Sequence, residues 1–216
     1  MFGSRVLIAA FTILLTSVTS HASIILKANL TTSQEPALVG PTTTTGAARP
    51  VPFGTATFTL NDAQTALSFV ATIFNIDFFG TQTADVNDNL VAAHIHSGAL
   101  NPATNTRPVA WGFFGSPFND TNPATLGGLL GDCTPFTAGV GGTCAGTWDA
   151  PEGNGTTLTA QLSAILAGNT YINFHTTQNP GGEIRGQILA VPEPASLALL
   201  IAGLFGVLSF GIARKR

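Results

Sequence analysis

The middle of the chain contains short stretches in which apolar and polar residues alternate. The clearest is 66–76, where Leu67, Phe69, Ala71 and Ile73 fall on one face. A period of two is typical of a β-strand that buries one face. The same pattern, weaker in places, predicts strands at residues 23–30, 53–60, 91–96, 107–113, 171–176 and 183–189. Clusters of Gly, Pro, Asn and Thr separate these stretches, which favours an antiparallel β-sandwich or barrel.

Two segments lack this regular pattern. Residues 114–155 are Gly-rich, and we expect a long excursion from the strands there. Residues 156–166 fit a strand, a short helix, or one followed by the other. Cys133 and Cys144 lie in the Gly-rich segment, and an even pair of cysteines at this spacing in an exported protein predicts a local disulfide. A zinc site would need two more ligands beside them.

The first 22 residues have the features of a secretory signal peptide. Arg5 precedes the apolar run 6–18, and the small residues Ser20 and Ala22 follow it. The run is shorter than the roughly 20 residues that a membrane-spanning helix needs. We therefore predict that residues 1–22 are removed by signal peptidase, with an uncleaved anchor helix as the alternative.

A second apolar segment lies at the other end of the chain. Residues 195–213 are uncharged and long enough for a transmembrane helix, and the basic tail Arg214, Lys215 and Arg216 follows them. Because basic residues stay on the cytoplasmic side, the domain before the helix is expected outside the membrane. Removal of both ends leaves residues 23–190 for the folded domain.

The segment 191–216 also carries a sorting motif. Pro192, Glu193 and Pro194 come directly before the apolar helix and the basic tail. This order of parts resembles the PEP-CTERM sorting signal. The resemblance implies a transient inner-membrane anchor, an exosortase-type processing enzyme that cuts near Pro-Glu-Pro, and delivery to the cell surface or extracellular matrix. It also implies a Gram-negative producer that usually makes exopolysaccharide. A plain permanent anchor is the alternative.

Composition narrows the classes of function. Residues 23–190 hold four basic and ten acidic side chains, a net charge of −6. Such an acidic domain excludes a nucleic-acid partner, since that binding relies on basic side chains. No Ser/His/Asp order, phosphate loop or paired carboxylates stand out, so we expect no enzymatic activity.

Three histidines are the candidate chemical residues of the domain. His94 and His96 share one face of their strand, and His175 shares a face with Asn173. The preferred interpretation is a buried network without cofactor, in which the imidazoles hydrogen-bond to Asn173, Glu183 and Arg185, and Glu183 pairs with Arg185. The alternative is a metal site, because three imidazoles can bind Cu or Zn. A weak metal-dependent redox activity would accompany that alternative.

The same residues carry a family resemblance. The runs His94-Ile-His-Ser-Gly98, Tyr171-Ile-Asn-Phe-His-Thr176 and Gly181-Gly-Glu-Ile-Arg-Gly-Gln187 resemble the CHRD domain, named for chordin. The resemblance extends over most of 24–190 and departs from the family in the cysteine-bearing segment. It implies an all-β, antiparallel Greek-key β-sandwich of the immunoglobulin-like or superoxide-dismutase-like kind, in an extracellular protein.

These features together predict an exported cell-surface or extracellular-matrix protein with a structural or binding role. A carbohydrate- or matrix-binding module, with an exopolysaccharide or matrix ligand, is a further alternative. It would use aromatic side chains that we expect to be exposed, namely Trp111, Phe113 and Trp148.

Overall fold

The computed structural model describes residues 23–36, 39–98, 106–122 and 133–192. All strand pairings between the elements in these ranges are antiparallel, which confirms the predicted all-β antiparallel class. The elements in chain order are β1 Ile24–Thr31, a 3-10 turn Thr32–Gln34, β2 Phe53–Leu60, β3 Ala66–Phe74, β4 Leu90–Ser97, β5 Val109–Phe114, β6 Cys133–Pro135, β7 Gly141–Asp149, α1 Leu158–Leu166, β8 Thr170–Thr176, β9 Ile184–Gln187 and β10 Leu189–Ala190.

The strands form one nearly closed, barrel-like sheet. Their order is β5-β4-β8-β9-β1-β2-β3-β7-β6, and β10 pairs with β1 beside this path. The predicted sandwich has two separate sheets, whereas here β9 and β1 join the two halves where Arg185 pairs with Thr31. The Greek-key topology of the immunoglobulin-like or superoxide-dismutase-like kind stays a prediction.

The core lies between the two halves of the sheet and is rich in aromatic rings. Trp111 of β5 stacks on Trp148 of β7 at 5.9 Å between ring centroids, and Phe113 packs on Phe69 of β3 at 4.6 Å. Trp111, Phe113 and Trp148 are all buried, so the expectation that they are exposed is wrong. Each tryptophan N–H has a buried acceptor on Glu152, which is what a ring of this kind needs in a core.

The Gly-rich segment contributes two strands that the sequence pattern did not reveal. All nine residues of β7 pair with β3, from Ala66↔Asp149 to Phe74↔Gly141. The inward face of β7 shows no clear alternation because glycines occupy the positions on both sides of Cys144, at Gly142 and Gly146. At Gly142 an added Cβ would lie 2.6 Å from the Phe78 ring, so a larger residue does not fit. The predicted disulfide is confirmed, and it joins the directly paired Cys133 and Cys144 of β6 and β7.

The helix α1 settles the open assignment of residues 156–166. Thr157 caps it, its hydroxyl oxygen accepting a hydrogen bond from the Ala160 N–H at 3.2 Å, and Leu158 and Ile165 bury its inner side. Among the described residues, no helix has the length and apolar character needed to cross a membrane. The predicted signal peptide, residues 1–22, and the predicted helix 195–213 lie outside the described ranges, as do Glu193, Pro194 and the basic tail.

Candidate metal centre

The three histidines lie on the face of β4 and β8 that points away from the hydrophobic core. The alternate residues Ile95, Ile172 and Phe174 point the other way and pack into that core. Although they lie on the outer face, His94, His96 and His175 are only 4%, 2% and 7% exposed. The chain segments that contact them, around residues 107, 116 and 180, cover this part of the sheet.

The register of β4 and β8 brings the three rings together. His94 lies opposite Asn173 and His96 lies opposite Tyr171, so His175 is the diagonal neighbour of His94. One nitrogen of each ring lies within 4.8 Å of the others. The closest pair is Nδ1 of His94 and Nε2 of His175, at 3.3 Å.

The remaining ring nitrogens contact backbone carbonyl oxygens. Nε2 of His94 lies 3.2 Å from the Ser116 oxygen, Nδ1 of His96 lies 2.7 Å from the Arg107 oxygen, and Nδ1 of His175 lies 3.0 Å from the Pro180 oxygen. A carbonyl oxygen only accepts hydrogen bonds, so each of these nitrogens carries a hydrogen. Because a neutral imidazole has a single N–H, its other nitrogen then holds a bare lone pair.

The three nitrogens that hold bare lone pairs lie within 4.8 Å of one another. Burial, reinforced by the neighbouring His175 and His96, lowers the pKa of His94 to about 3. Burial and the neighbouring His96 lower the pKa of His175 to about 4, and burial also lowers the pKa of His96. At neutral pH all three rings are therefore neutral. The facing nitrogens of His94 and His175 then have no proton to share, and the buried Nε2 of His96 has no hydrogen-bond partner.

This arrangement suits a metal ion. A tetrahedral ion with metal–nitrogen bonds of 2.0–2.1 Å holds two ligand nitrogens about 3.3 Å apart. The nitrogens of His94 and His175 already have this separation. In metal sites the second nitrogen of a ligating histidine usually donates to a carbonyl or carboxylate, as all three rings do here. The donor set of three neutral imidazoles fits Cu or Zn.

Neighbouring residues hold the rings in place. Gly112 of β5 pairs with His94, and an added Cβ there would lie 1.9 Å from the Pro117 oxygen and 3.0 Å from Cδ2 of His94. Only a residue without a side chain lets the segment at Ser116 close over His94. The ring of His96 stacks on Tyr171 at 4.7 Å between centroids, and the Tyr171 hydroxyl accepts a hydrogen bond from the Arg107 N–H.

The predicted network partners form a separate polar group. In the part of the chain that the structure describes, the imidazoles donate hydrogen bonds to carbonyl oxygens, and the contacts of their other nitrogens are with one another instead of with Asn173, Glu183 or Arg185. The ion pairs of Glu183 and Arg185 among the described residues involve two other side chains. Glu183 pairs with Arg49 at 2.8 Å, while Nε of Arg185 lies 3.6 Å from Glu35.

Two charged residues of this group were missed by sequence reasoning. Glu35 and Arg49 both lie between β1 and β2, outside any periodic pattern, and Arg49 is 134 positions from its partner Glu183. Burial raises the pKa of Glu35 to about 7, against the opposing effect of the Arg185 guanidinium. A charged residue in a Pro- and Thr-rich loop is normally solvated, so composition gave no sign that these two are buried.

The structure thus defines an antiparallel β-domain with a buried cluster of three imidazoles. The family model of the CHRD domain matches residues 26–188, so the chain belongs to the CHRD domain family. The model of the PEP-CTERM protein-sorting motif matches residues 190–216. Both resemblances are therefore confirmed, and the motif implies export with membrane-associated processing by an exosortase-type system. No curated protein and no solved structure matches the chain.

Proposed function

We propose that this protein is a cell-surface or matrix protein whose CHRD domain binds one Cu or Zn ion through His94, His96 and His175. The observation that carries the proposal is the convergence of three bare ring nitrogens in a buried space. In the alternative, a purely structural network, each buried nitrogen would have a protein partner. The sorting motif supports delivery to the outside of the cell, where the domain would hold the ion.

The proposed role is binding rather than catalysis. The groups that accept hydrogen bonds from the imidazoles are backbone carbonyls, which orient the rings and fix their tautomers without transferring protons. A metal that binds only the folded state also stabilises that state. We therefore propose that the ion both ties the loops at Arg107, Ser116 and Pro180 to the sheet and is the ligand that the domain holds outside the cell.

Metal analysis of the exported protein tests this proposal. After growth in medium containing copper and zinc, the purified protein should hold about one Cu or Zn per chain by elemental mass spectrometry. His94→Gln and His175→Gln should each lose most of that metal. Val91→Ala is the matched control, because Val91 is an exposed residue of the same strand β4 and does not reach the cluster.

Thermal unfolding separates metal binding from a structural network. If a metal is bound, a chelator should lower the melting temperature of the unchanged protein and change that of His175→Gln little. If the network is purely structural, the chelator should leave both melting temperatures unchanged. Metal-free protein whose melting temperature does not respond to added Cu²⁺ or Zn²⁺ would overturn the proposal.

A further inference from the structure

The outer face of β2, β3 and β7 carries an ordered array of hydroxyl groups. These strands pair along their length without a register shift, so their outward residues line up in rows across the sheet. One row is Thr55, Thr72 and Thr143, and a second is Thr59, Ser68 and Thr147, in which the hydroxyl oxygens of Ser68 and Thr147 lie 3.0 Å apart. The row between them keeps the hydroxyl of Thr57 and has the apolar residues Val70 and Ala145 in its other positions. Neighbouring residues within a row lie about 4.8 Å apart, which is the distance between strands. Successive rows lie about 6.7 Å apart along the strands. We call this array the hydroxyl face.

Aromatic rings border the hydroxyl face at one end. Phe53 and Phe74 are directly paired across β2 and β3, with ring centroids 4.8 Å apart and nearly parallel planes. Phe136 lies 5.3 Å from Phe74 and continues the row. Phe53 is 50% exposed and Phe74 is 38% exposed, so these rings offer an apolar surface to a partner instead of filling the core.

The small number of charged residues on this face favours a neutral partner. Neither β2 nor β3 contains a charged residue, and the strands beside them add one charge of each sign, Lys27 of β1 opposite Thr57 and Asp149 of β7 opposite Ala66. A nucleic acid or an acidic polysaccharide requires several basic side chains, whereas the described strands β1, β2, β3 and β7 supply only Lys27 here. A neutral sugar chain instead presents hydroxyls that exchange hydrogen bonds with Thr and Ser, and C–H faces that pack on aromatic rings.

We propose that the hydroxyl face, with Phe53 and Phe74 at its border, binds a neutral polysaccharide. The surface differs from the one that the sequence suggested, since Trp111, Phe113 and Trp148 lie in the core. It is also separate from the metal centre, because β9 and β1 stand between β8 and β2 in the sheet. The two proposals can therefore fail independently.

Affinity electrophoresis of the exported protein tests the proposal. Gels containing hydroxyethylcellulose, dextran or galactomannan supply neutral polymers, and alginate supplies an acidic one. We expect at least one neutral polymer to retard the protein, and the variant Phe53→Ala/Phe74→Ala to bind it at least ten-fold more weakly. Val91→Ala, which removes an apolar side chain of similar exposure on β4, should bind like the unchanged protein.

Two further variants make the outcome decisive. Thr72→Val/Thr143→Val keeps β-branched residues and removes two hydroxyls of one row, so it should fold normally and bind more weakly. His175→Gln should keep its polysaccharide binding, which separates this site from the metal site. The proposal is overturned if no neutral polymer retards the protein, if alginate retards it more, or if both face variants bind as before. Self-association that Phe53→Ala/Phe74→Ala abolishes, without polymer binding, would show a second copy as the occupant and overturn it too.

Discussion

At the residue scale, the behaviour of the histidine cluster depends on where protons lie in the folded and unfolded states. The folded domain keeps His94 and His175 neutral until the pH falls to about 3 and about 4. An unfolded chain protonates the same rings near pH 6.5. Above that pH the rings are neutral in both states and contribute no pH dependence. Below it the unfolded state binds more protons, so acid favours unfolding.

We expect the free energy of unfolding to depend on His94 between pH 6.5 and about pH 3. The contribution of this buried ring should fall by about 1.4 kcal/mol for each pH unit in that window. Urea unfolding at pH 7.5 and pH 4.5, with a chelator present, should show a smaller acid-induced loss for His94→Gln than for the unchanged protein. Glu35 has a raised pKa, so acid stabilises the folded state through this residue between about pH 7 and pH 4.5. This contribution is the same in the two proteins and cancels when they are compared. Equal losses would contradict the prediction.

The grouping of the histidines could be predicted from sequence, whereas their chemistry could not. Period-two alternation places His94 with His96, and His175 with Asn173, on single strand faces, and β4 and β8 prove to be neighbours. The acceptors that fix the tautomers are the backbone oxygens of Ser116, Arg107 and Pro180. Any residue type supplies such an oxygen, so these positions have no signature in the sequence.

At the element scale, β5 supports the cluster because its residue beside His94 is a glycine. Gly112 pairs with His94, and the chain turns back over it so that the Pro117 oxygen occupies the space of a Cβ. Asn119 closes this turn, its side-chain oxygen accepting a hydrogen bond from the Gly112 N–H at 3.0 Å. Since the obstacle is backbone, it cannot move aside as the end of a flexible side chain would.

We expect Gly112→Ala to weaken both the fold and the metal centre. The added methyl group should displace the segment at Ser116 and cost about 1–3 kcal/mol of stability, as overpacking commonly does. Metal content should fall with it, because His94 loses its carbonyl partner. Gly181→Ala is the matched control, since a Cβ there meets nothing within 4 Å. Denaturant unfolding and elemental analysis of both variants check this, and equal behaviour of the two would refute it.

The strand β7 shows why part of the fold escaped the sequence pattern. An alternation is visible only when large apolar residues mark one face, as Leu67, Phe69 and Ile73 do in β3. In β7 the inward positions Gly142 and Gly146 carry no side chain, and at Gly142 the ring of Phe78 occupies the space that a side chain would need. The inward face of β7 therefore lacks the large apolar residues that make a strand visible in the sequence. The strand becomes evident only from its pairing with β3 in the structure.

The position of the disulfide predicts a graded response to its removal. Closing the short loop between the cysteines contributes roughly 3 kcal/mol in the chain-entropy model. Among the described strands, β6 is paired with β7 alone, whereas β7 is also paired with β3 over nine residues. In Cys133→Ala/Cys144→Ala, hydrogen exchange followed by mass spectrometry should rise strongly in β6 and little in β7. Equal loss of protection in both strands would contradict the prediction.

At the scale of the whole molecule, the two ends of the domain leave the fold side by side. β10 pairs with β1 through Leu26↔Ala190 and Lys27↔Leu189, and the Val191 N–H donates to the Ile25 oxygen at 2.8 Å. Pro192, the first residue of the sorting motif, therefore lies beside β1, which is the first strand after the predicted cleavage site. Pro192 follows the last of these hydrogen bonds directly, so the folded domain holds the start of the motif at its surface.

The sequence of the motif favours an extended chain from that point onward. Each proline lacks an N–H and disfavours the helical region for the residue before it, so Val191 and Glu193 are directed to extended backbone. An extended segment at the surface of the membrane is a conformation that a processing enzyme can seat in a cleft. The apolar segment 195–213 and the tail Arg214-Lys215-Arg216 would then hold the substrate in place until it is cut.

We expect the exported protein to end near Pro194, without the apolar segment, and to be recovered outside the inner membrane. Replacing Pro192-Glu193-Pro194 by alanines should leave the full-length chain in the membrane fraction, because the extended recognition segment is lost while the anchor remains. Leu189→Ala changes an exposed residue just before the motif and should be processed normally. Cell fractionation with mass spectrometry of the C-terminus measures both results. Surface-localised protein that still ends at Arg216 would instead identify a permanent anchor.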